Sequence, residues 1–517
     1  MATYDYIIVG AGPSGLTIAY ELGKQGKSCL VIERQSVIGG CHRVLRVNGL
    51  FSEHAPRIYL STYLNMISLL KRMNIDFFKH FVSYRYGNYL FLKLFFDMLS
   101  WYELFCIVWI FICFLVDANY GKATSLKRFM SEYGFSATSK DFIDRFCRIS
   151  DGAGADRYTV WQFLQLFNQS FFYSIYEPKK PNDVFLFPAM KKAIEDTNYV
   201  TFLLNSTVQS ITMDSPTHVT GVLVNGVTYT AQHVILAITP TSVASLCATN
   251  VNLSNAFGPH LNTWARRTAY DNDIGVVFHW DTKVHFESKW GFPYSEWGLV
   301  SIVMSDYMDF NDHRSKTVIS TCITYLNRPN DDGLTANDIT DPNQLVDLVF
   351  QQLLQTYPDL PPPTAKLLSP TVYKSNGVWV DTDVSYFNTV GTTPMEAQSP
   401  SIPNLFQVGI QNGHGTMHAT TMEAAVSNAM HFINAQTQAS IDIPAPVELR
   451  NVILIVLAIA VVAGVIAAIL MWRHRHTLLR MIGMGQTTIL EDNAEPVPFS
   501  LDNAEPLLLN DVSESGL

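Results

Sequence analysis

Tyr4-Asp5-Tyr6-Ile7-Ile8-Val9-Gly10-Ala11-Gly12-Pro13-Ser14-Gly15 opens the stretch that decides the fold, and Cys29-Leu30-Val31-Ile32-Glu33-Arg34 closes it. An apolar run leads into glycines spaced G-x-G-x-x-G, a helical run follows with Leu16, Ala19 and Leu22 on one face, and a second apolar run ends in an acid. This order predicts strand, tight turn, helix and parallel strand, the opening of a dinucleotide-binding unit. Gly10 makes the turn, Gly12 lets the backbone approach a pyrophosphate, and Gly15 lets helix and strand pack closely. Pro13 and Ser14 begin the helix, whose first N–H groups are offered to the phosphates. Glu33 is placed to accept hydrogen bonds from ribose hydroxyls, with Arg34 beside it.

The next residues bear on which dinucleotide is bound. Val37-Ile38-Gly39-Gly40-Cys41-His42-Arg43 brings a second glycine pair, and Glu53-His54-Ala55-Pro56-Arg57-Ile58-Tyr59 follows. Here the chain resembles the FAD-binding branch of the fold, the amine-oxidase-like superfamily of monoamine oxidases, protoporphyrinogen oxidases, phytoene desaturases and UDP-galactopyranose mutases. The resemblance implies that Gly39 and Gly40 pass close to the flavin diphosphate and ribityl chain, and that residues 53–57 run along the isoalloxazine. Ala55 stands where that segment usually has glycine, so the loop is expected to approach the ring less closely.

Composition sets outer limits. At 517 residues the chain exceeds one core, and with 48% hydrophobic against 15% charged residues it is apolar enough to prompt a search for a membrane segment. The formal net charge of −10, with no basic run, argues against a nucleic-acid partner. Seven cysteines without C-x-x-C spacing give neither a disulfide framework nor a zinc site. No signal peptide is read before Tyr4, so the large folded part is expected on the cytosolic side. The sequons at Asn168, Asn205 and Asn252 weigh little against that.

Residues 1–85 read as the first part of the FAD-binding domain and 86–195 as a mostly helical segment of a substrate domain. Within the latter, Leu104 to Val116 carries no polar group; at about 1.5 Å per residue it is too short to cross a bilayer and is expected to be a buried helix, with contact to a membrane surface as the alternative. From Val200 short strands separated by Asn, Asp, Gly and Pro return the chain to the FAD domain over 196–245. The resemblance makes the backbone near Val208 an adenine contact, although an ordinary strand valine explains that residue equally well. Residues 246–395 form the sheet of the substrate domain, with Ile274–Trp280 and Thr317–Ile323 as its clearest strands. Monoamine-oxidase-type enzymes carry a flavin-linked lysine on the first of these, and none is present.

The third part of the FAD domain, 396–436, holds the second fingerprint. Asn404-Leu405-Phe406-Gln407-Val408-Gly409 reads as a strand ending in glycine, and Thr421-Met422-Glu423-Ala424-Ala425-Val426 resembles the Y-M-E-G-A-V of monoamine oxidases. The resemblance implies that Gly409 and Met422 lie at the flavin and that the helix N-terminus faces its N1/O2 edge, favouring negative charge there. Ile410 replaces the usual acid, which removes a ribityl contact. Thr421 replaces an aromatic residue of the cage that guides amines, which argues against a typical amine oxidation.

After a linker at 437–451, Val452 to Trp472 gives twenty-one residues without a charge. Rising about 31 Å as a helix, this is expected to be a transmembrane anchor. Ala460, Gly464 and Ala468 at small-x-x-x-small spacing could seat a partner helix of a homodimer, although alanine is common in such spans. Arg473, Arg475 and Arg480 after the span favour a cytosolic C-terminus; the missing signal outweighs them and keeps the flavin domain cytosolic. The acidic tail, 473–517, repeats Asp492-Asn493-Ala494-Glu495-Pro496 at 502–506 and reads as disordered.

The expected architecture is therefore α/β: a Rossmann-like FAD/NAD(P)-binding domain interleaved with an α+β substrate domain, plus a C-terminal transmembrane helix. The expected activity is hydride removal from an apolar or amine-like small molecule by non-covalent FAD, since no cysteine follows Cys322 to form a cysteinyl bond of the monoamine oxidase kind. His414, His418, Arg57 and Tyr59 are the acid–base candidates; the two histidines lack a third ligand for a metal. Two alternatives remain, a flavin-dependent mutase or isomerase without net oxidation, and a non-catalytic binding protein on the same fold, as Rab GDP-dissociation inhibitors are.

Overall fold

The computed structural model describes residues 3–474, except 86–90, 153, 259–260, 268, 271–272, 287–294, 384–385, 388–392 and 419. The chain divides into two compact units, 1–454 and 455–517. The acidic repeat, Arg475 and Arg480 lie outside the described residues.

Strand β1 (Tyr4–Val9) buries Ile7, Ile8 and Val9 and is followed by helix α1 (Pro13–Lys24), which starts on Pro13, and β2 (Cys29–Ile32). Proline suits that first helical position because its missing N–H would have no intrahelical partner there. Helix α2 (Leu64–Arg72) packs beside them, and the helical segment that follows includes α3 (Trp101–Val116), α4 (Ala137–Asp151) and α5 (Val160–Ser170). A three-stranded antiparallel sheet of Tyr59–Leu60, Ile175–Pro178 and Phe81–Ser83 closes that segment against the nucleotide-binding part.

The chain returns through β3 (Val200–Leu203), β4 (Val208–Ser215), β5 (His218–Val224) and β6 (Val227–Leu236). The β5–β6 turn is Asn225-Gly226 with φ of 50° and 79°, the conformation that two-residue hairpins favour. The second sheet contains β7 (Ile274–Trp280), β8 (Val300–Val303), β9 (Thr317–Ile323) and β10 (Ala365–Leu368), all antiparallel in the order β8-β9-β7-β10. Every residue of β7 and β9 is buried. One face packs on helix α6 (Pro342–Thr356) through Leu345, Val349 and Leu353, and the other, carrying Val277, Ile302 and Val318, packs on Val44 and Phe51.

Strand β11 (Leu405–Gln407) completes the main sheet, whose order is β3-β2-β1-β6-β5-β4 with β11 also paired to β6. The pairs β3·β2, β2·β1, β1·β6 and β6·β11 are parallel, so their C-terminal ends point the same way. Ligands in such sheets bind outside those ends. Helix α7 (Met422–Gln436) packs on α1, and α8 (Leu449–Arg473) is the one helix among the described residues long and apolar enough to cross a membrane.

One expectation is overturned. The apolar stretch within α3 is not a buried helix: Glu103, Cys106, Ile110 and Phe114 face the protein, whereas Phe105, Val108, Trp109, Ile112 and Val116 are exposed. A stretch that is apolar on every side carries no periodicity to reveal which face is covered. Of the three sequons, Asn168 is fully buried.

Candidate active site

A cavity of about 670 Å³ runs from the glycine turn to the segment 54–59 and the start of α7. Its first wall is built by backbone geometry. Gly10 sits at φ +101°, and a Cβ there would lie 2.5 Å from Ala237 O; a Cβ on Gly15 would lie 2.0 Å from Gly10 O. Those two glycines serve the protein's own packing. At Gly12 the nearest atom to a Cβ is Gly40 Cα, 3.8 Å away, so Gly12 borders open space in the cavity. Gly40 (φ +58°) faces it across the cavity wall, with its own Cβ position 3.1 Å from Gly12 Cα. Gly39 does not line the cavity: its N–H donates to Ala11 O at 2.9 Å, and a Cβ there would meet the Phe187 ring at 2.6 Å. Its glycine is required by packing against Phe187.

Pro13, Ser14, Glu33 and Arg34 also line the cavity. Glu33 accepts from Ala11 N at 2.9 Å through Oε2 and from Gln35 N at 3.0 Å through Oε1, so the protein itself uses part of its acceptor capacity. Each carboxylate oxygen accepts more than one bond, leaving capacity for hydroxyls. Ser14 Oγ donates to Ala425 O at 3.1 Å and ties α1 to α7. Val208 borders the cavity beside Ser206 and Thr207.

The far end gathers Gly409, Ile410, Thr421 and Met422. Thr421 is the N-cap of α7 and accepts from Ala424 N at 3.1 Å. A threonine in place of an aromatic residue thus satisfies one of the orphan N–H groups at that helix end. Glu423 points away and caps α2, accepting from Asn65 N at 2.9 Å and Met66 N at 2.8 Å. Burial raises its pKa although those bonds oppose it.

Arg57 and Tyr59 line the cavity. Burial works against the Arg57 charge, but Cys41, Glu53, Tyr59 and Asp383 outweigh it and raise the pKa; its guanidinium donates to Cys41 O. The Tyr59 hydroxyl accepts from Asn182 Nδ2 at 3.0 Å, and burial pushes its pKa up to about 12. His414 and His418 do not line the cavity: both are exposed, with His414 N bonded to Asn428 Oδ1 and the His418 ring against Trp161. Their loop turns outward before α7 begins, which removes the geometric basis for making them flavin-side acid–base groups.

The structure adds residues that sequence reasoning missed. A hairpin of Val372–Ser375 and Val378–Asp381 turns on Asn376-Gly377 (φ 50° and 78°) and delivers Asp381 to His54 Nδ1 at 3.1 Å. Two residues on, Asp383 accepts from Arg43 Nη2 at 2.6 Å. His42 also lines the cavity; burial, then Arg57 and His54, push its pKa well below normal, and its Nδ1 has no partner. Behind this layer Ser320 Oγ donates to Glu53 Oε1 at 2.5 Å, and burial raises the Glu53 pKa to about 7. Strand β7 crosses directly over the segment, since a Cβ on Gly275 would lie 2.3 Å from His54 O. Arg148 enters from α4 and bonds Asp144 and Thr324 O. No single motif marks these residues, which come from four distant parts of the chain; the Asn-Gly dipeptide at 376–377 was the one local signal.

Comparison with known proteins decides the family. The profile of the NAD(P)-binding Rossmann-like domain matches residues 8–73, and that of the flavin containing amine oxidoreductases matches residues 119–429. The chain belongs to the flavin-containing amine oxidoreductase family. Its family's cofactor is a flavin, and the room at Gly12 and Gly40, the Glu33 carboxylate and the orphaned His42 Nδ1 form a site that fits one. Among solved structures, a putrescine oxidase with putrescine bound matches with a TM-score of 0.59 at 16% identity over 85% of this chain and 100% of that one. Cyclohexylamine oxidase from Brevibacterium oxydans matches with 0.55 at 14%, covering 84% and 98%. These establish the fold. A UDP-galactopyranose mutase of Mycoplasma pneumoniae is 31% identical over 98 residues, 18% of this chain and 25% of the mutase, so the match spans a quarter of that relative.

Proposed function

We propose that this chain is a membrane-anchored FAD-dependent oxidoreductase that removes a hydride from an apolar or amine-like small molecule. The observation that carries the reading is one continuous cavity joining the Gly12–Gly40 approach, Glu33 and the N-terminus of α7 to the His42–Arg57–Tyr59 wall. When bound, FAD supplies the hydride-accepting ring. The chain supplies position and electrostatics. Backbone N–H groups at the start of α1 hold the diphosphate, and Glu33 accepts from the ribose. The positive end of α7, capped by Thr421, favours negative charge beside it. Ile58, Tyr59 and Tyr63 present apolar surface to the substrate and exclude water, and His42, kept neutral by burial, offers Nδ1 as a hydrogen-bond partner. FAD is held non-covalently because α7 and the strand before it carry no cysteine. Helix α8 anchors the chain.

A second reading has its own support. Four guanidinium groups, Arg34, Arg43, Arg57 and Arg148, line the cavity against three carboxylates, Glu33, Asp273 and Asp383. With the mutase match, this favours a phosphorylated substrate turned over without net oxidation. Acceptor consumption separates the two: an oxidoreductase consumes oxygen or an electron-accepting dye in proportion to product, whereas a mutase forms product from reduced enzyme with none consumed. Product formation without acceptor consumption refutes the oxidoreductase reading.

A further inference from the structure

Helix α3 has two unlike faces, neither of them polar. Glu103, Cys106, Ile110 and Phe114 are buried, at the spacing of one helix stripe. The opposite side presents Trp101, Phe105, Val108, Trp109, Ile112 and Val116, between 45% and 84% exposed. Its single charged residue, Glu103, is turned inward: it accepts from Ser100 N at 2.7 Å, Ser136 N at 2.7 Å and Ser139 Oγ at 2.8 Å. Nothing charged on α3 therefore faces outward. Phe96, 59% exposed, extends the surface beside Trp101, with the two rings tilted at 57° and their centroids 6.4 Å apart. Helices that face water carry polar residues on that side.

A second observation says what covers the face. Arg450, at the base of α8, is fastened to the C-terminal end of α3: Nε donates to Phe114 O at 3.0 Å and Nη2 to Leu115 O at 2.9 Å. Its backbone N–H donates to Asn168 Oδ1 at 2.8 Å. The arginine satisfies carbonyls that a helix end leaves without partners. The point where the apolar span begins is thereby held at the level where the exposed apolar helix ends.

We propose that the outer face of α3 lies in the lipid interface as a second, monotopic contact with the same membrane. The proposal rests on the reading of α8 as an anchor. If α8 enters a bilayer, the headgroup layer passes beside Arg450, and the end of α3 is bonded to that residue. The sixteen residues of α3 rise about 24 Å, too short for a hydrocarbon core of about 30 Å, so α3 lies along the surface. Tryptophan at both 101 and 109 is the residue that membrane interfaces enrich.

The test uses the full chain reconstituted into phosphatidylcholine vesicles containing a lipid with a photoactivatable diazirine on its acyl chain. After irradiation and proteolysis, mass spectrometry maps the adducts. The proposal expects adducts within Leu449–Arg473 and on the exposed residues of α3, none on Cys106 or Ile110, and a several-fold loss of α3 adducts in Trp109→Gln/Ile112→Gln while those on α8 persist. Adducts on α8 with a clean α3 overturn the proposal and leave the anchor standing. A clean α3 together with a detergent-stable dimer assigns the face to a second copy and overturns it equally. Adducts on α3 without any on α8 refute the anchor reading and sustain the lipid contact of α3.

Discussion

Replacing Gly12 by alanine separates the glycine that serves a ligand from those that serve the fold. At Gly12 φ is −77°, a conformation open to any residue, and the nearest atom to an added Cβ is 3.8 Å away in ordinary contact. Gly12→Ala is therefore expected to leave the flavin-free protein as stable as wild type, or more stable by about 0.4–1 kcal/mol through the lower entropy of the unfolded chain. The new methyl occupies the space that the diphosphate needs. Displacing two N–H bonds to a charged phosphate costs about 1.5–3 kcal/mol each, or about 3–6 kcal/mol in all. At about 1.4 kcal/mol per tenfold, flavin affinity should fall by about two to four decades. Gly15→Ala is the control, because its Cβ would lie 2.0 Å from Gly10 O and should lower stability with or without flavin. The assay is thermal unfolding of the flavin-depleted full chain in detergent, followed by titration with FAD monitored by flavin fluorescence. Gly12→Ala that binds FAD like wild type, or that unfolds as readily as Gly15→Ala, refutes the assignment.

Three further outcomes are expected. Glu53, with its pKa raised by burial to about 7, stays protonated when folded while the unfolded chain ionises near 4.5, so its contribution to stability is full below about pH 4.5 and lost as pH rises through 7. Glu53→Gln, which keeps an acceptor for Ser320, should thus gain stability over wild type from pH 4.5 to 7, by up to about 3 kcal/mol at about 1.4 kcal/mol per unit; a pH-independent difference in melting temperature contradicts this. Thr421→Val removes the cap of α7 and should cost about 0.5–2 kcal/mol, with Thr421→Ser close to neutral; equal melting temperatures for Val and Ser variants would show that the cap contributes nothing. Glu423→Ala leaves Asn65 N and Met66 N uncapped and should lower the melting temperature, by about 1–3 kcal/mol of stability for each buried donor left without a partner, while Glu423→Gln, which retains one acceptor, costs less.

The legible parts of this protein are those where a local geometric demand falls on neighbouring residues. A phosphate turn needs Gly10, Gly12 and Gly15 within six residues, and β1, α1 and β2 stand where that motif puts them. The strands Ile274–Trp280 and Thr317–Ile323 were equally readable, because runs of β-branched and aromatic residues in a covered sheet need no alternation. At Gly39 two reasons for glycine, ligand approach and the Phe187 ring, look alike in sequence, and only the folded chain shows the second. His414 and His418 misled because proximity in sequence to Met422 does not fix which way a loop turns. The buried polar layer behind the cavity was illegible for a different reason: Arg43 meets Asp383 and His54 meets Asp381 across more than 300 positions, and only the folded chain pairs them. The Asn-Gly turn at 376–377 announces a hairpin but not its destination.

The central claim is that the cavity beside Gly12, Glu33 and α7 holds FAD without a covalent bond. An absorbance spectrum of the detergent-purified full chain between about 300 and 550 nm, before and after acid precipitation, tests it most directly. Flavin bands that pass entirely into the supernatant are the expected result. Bands that stay with the precipitate contradict non-covalent binding, and a folded, colourless protein that takes up no added FAD contradicts the claim itself.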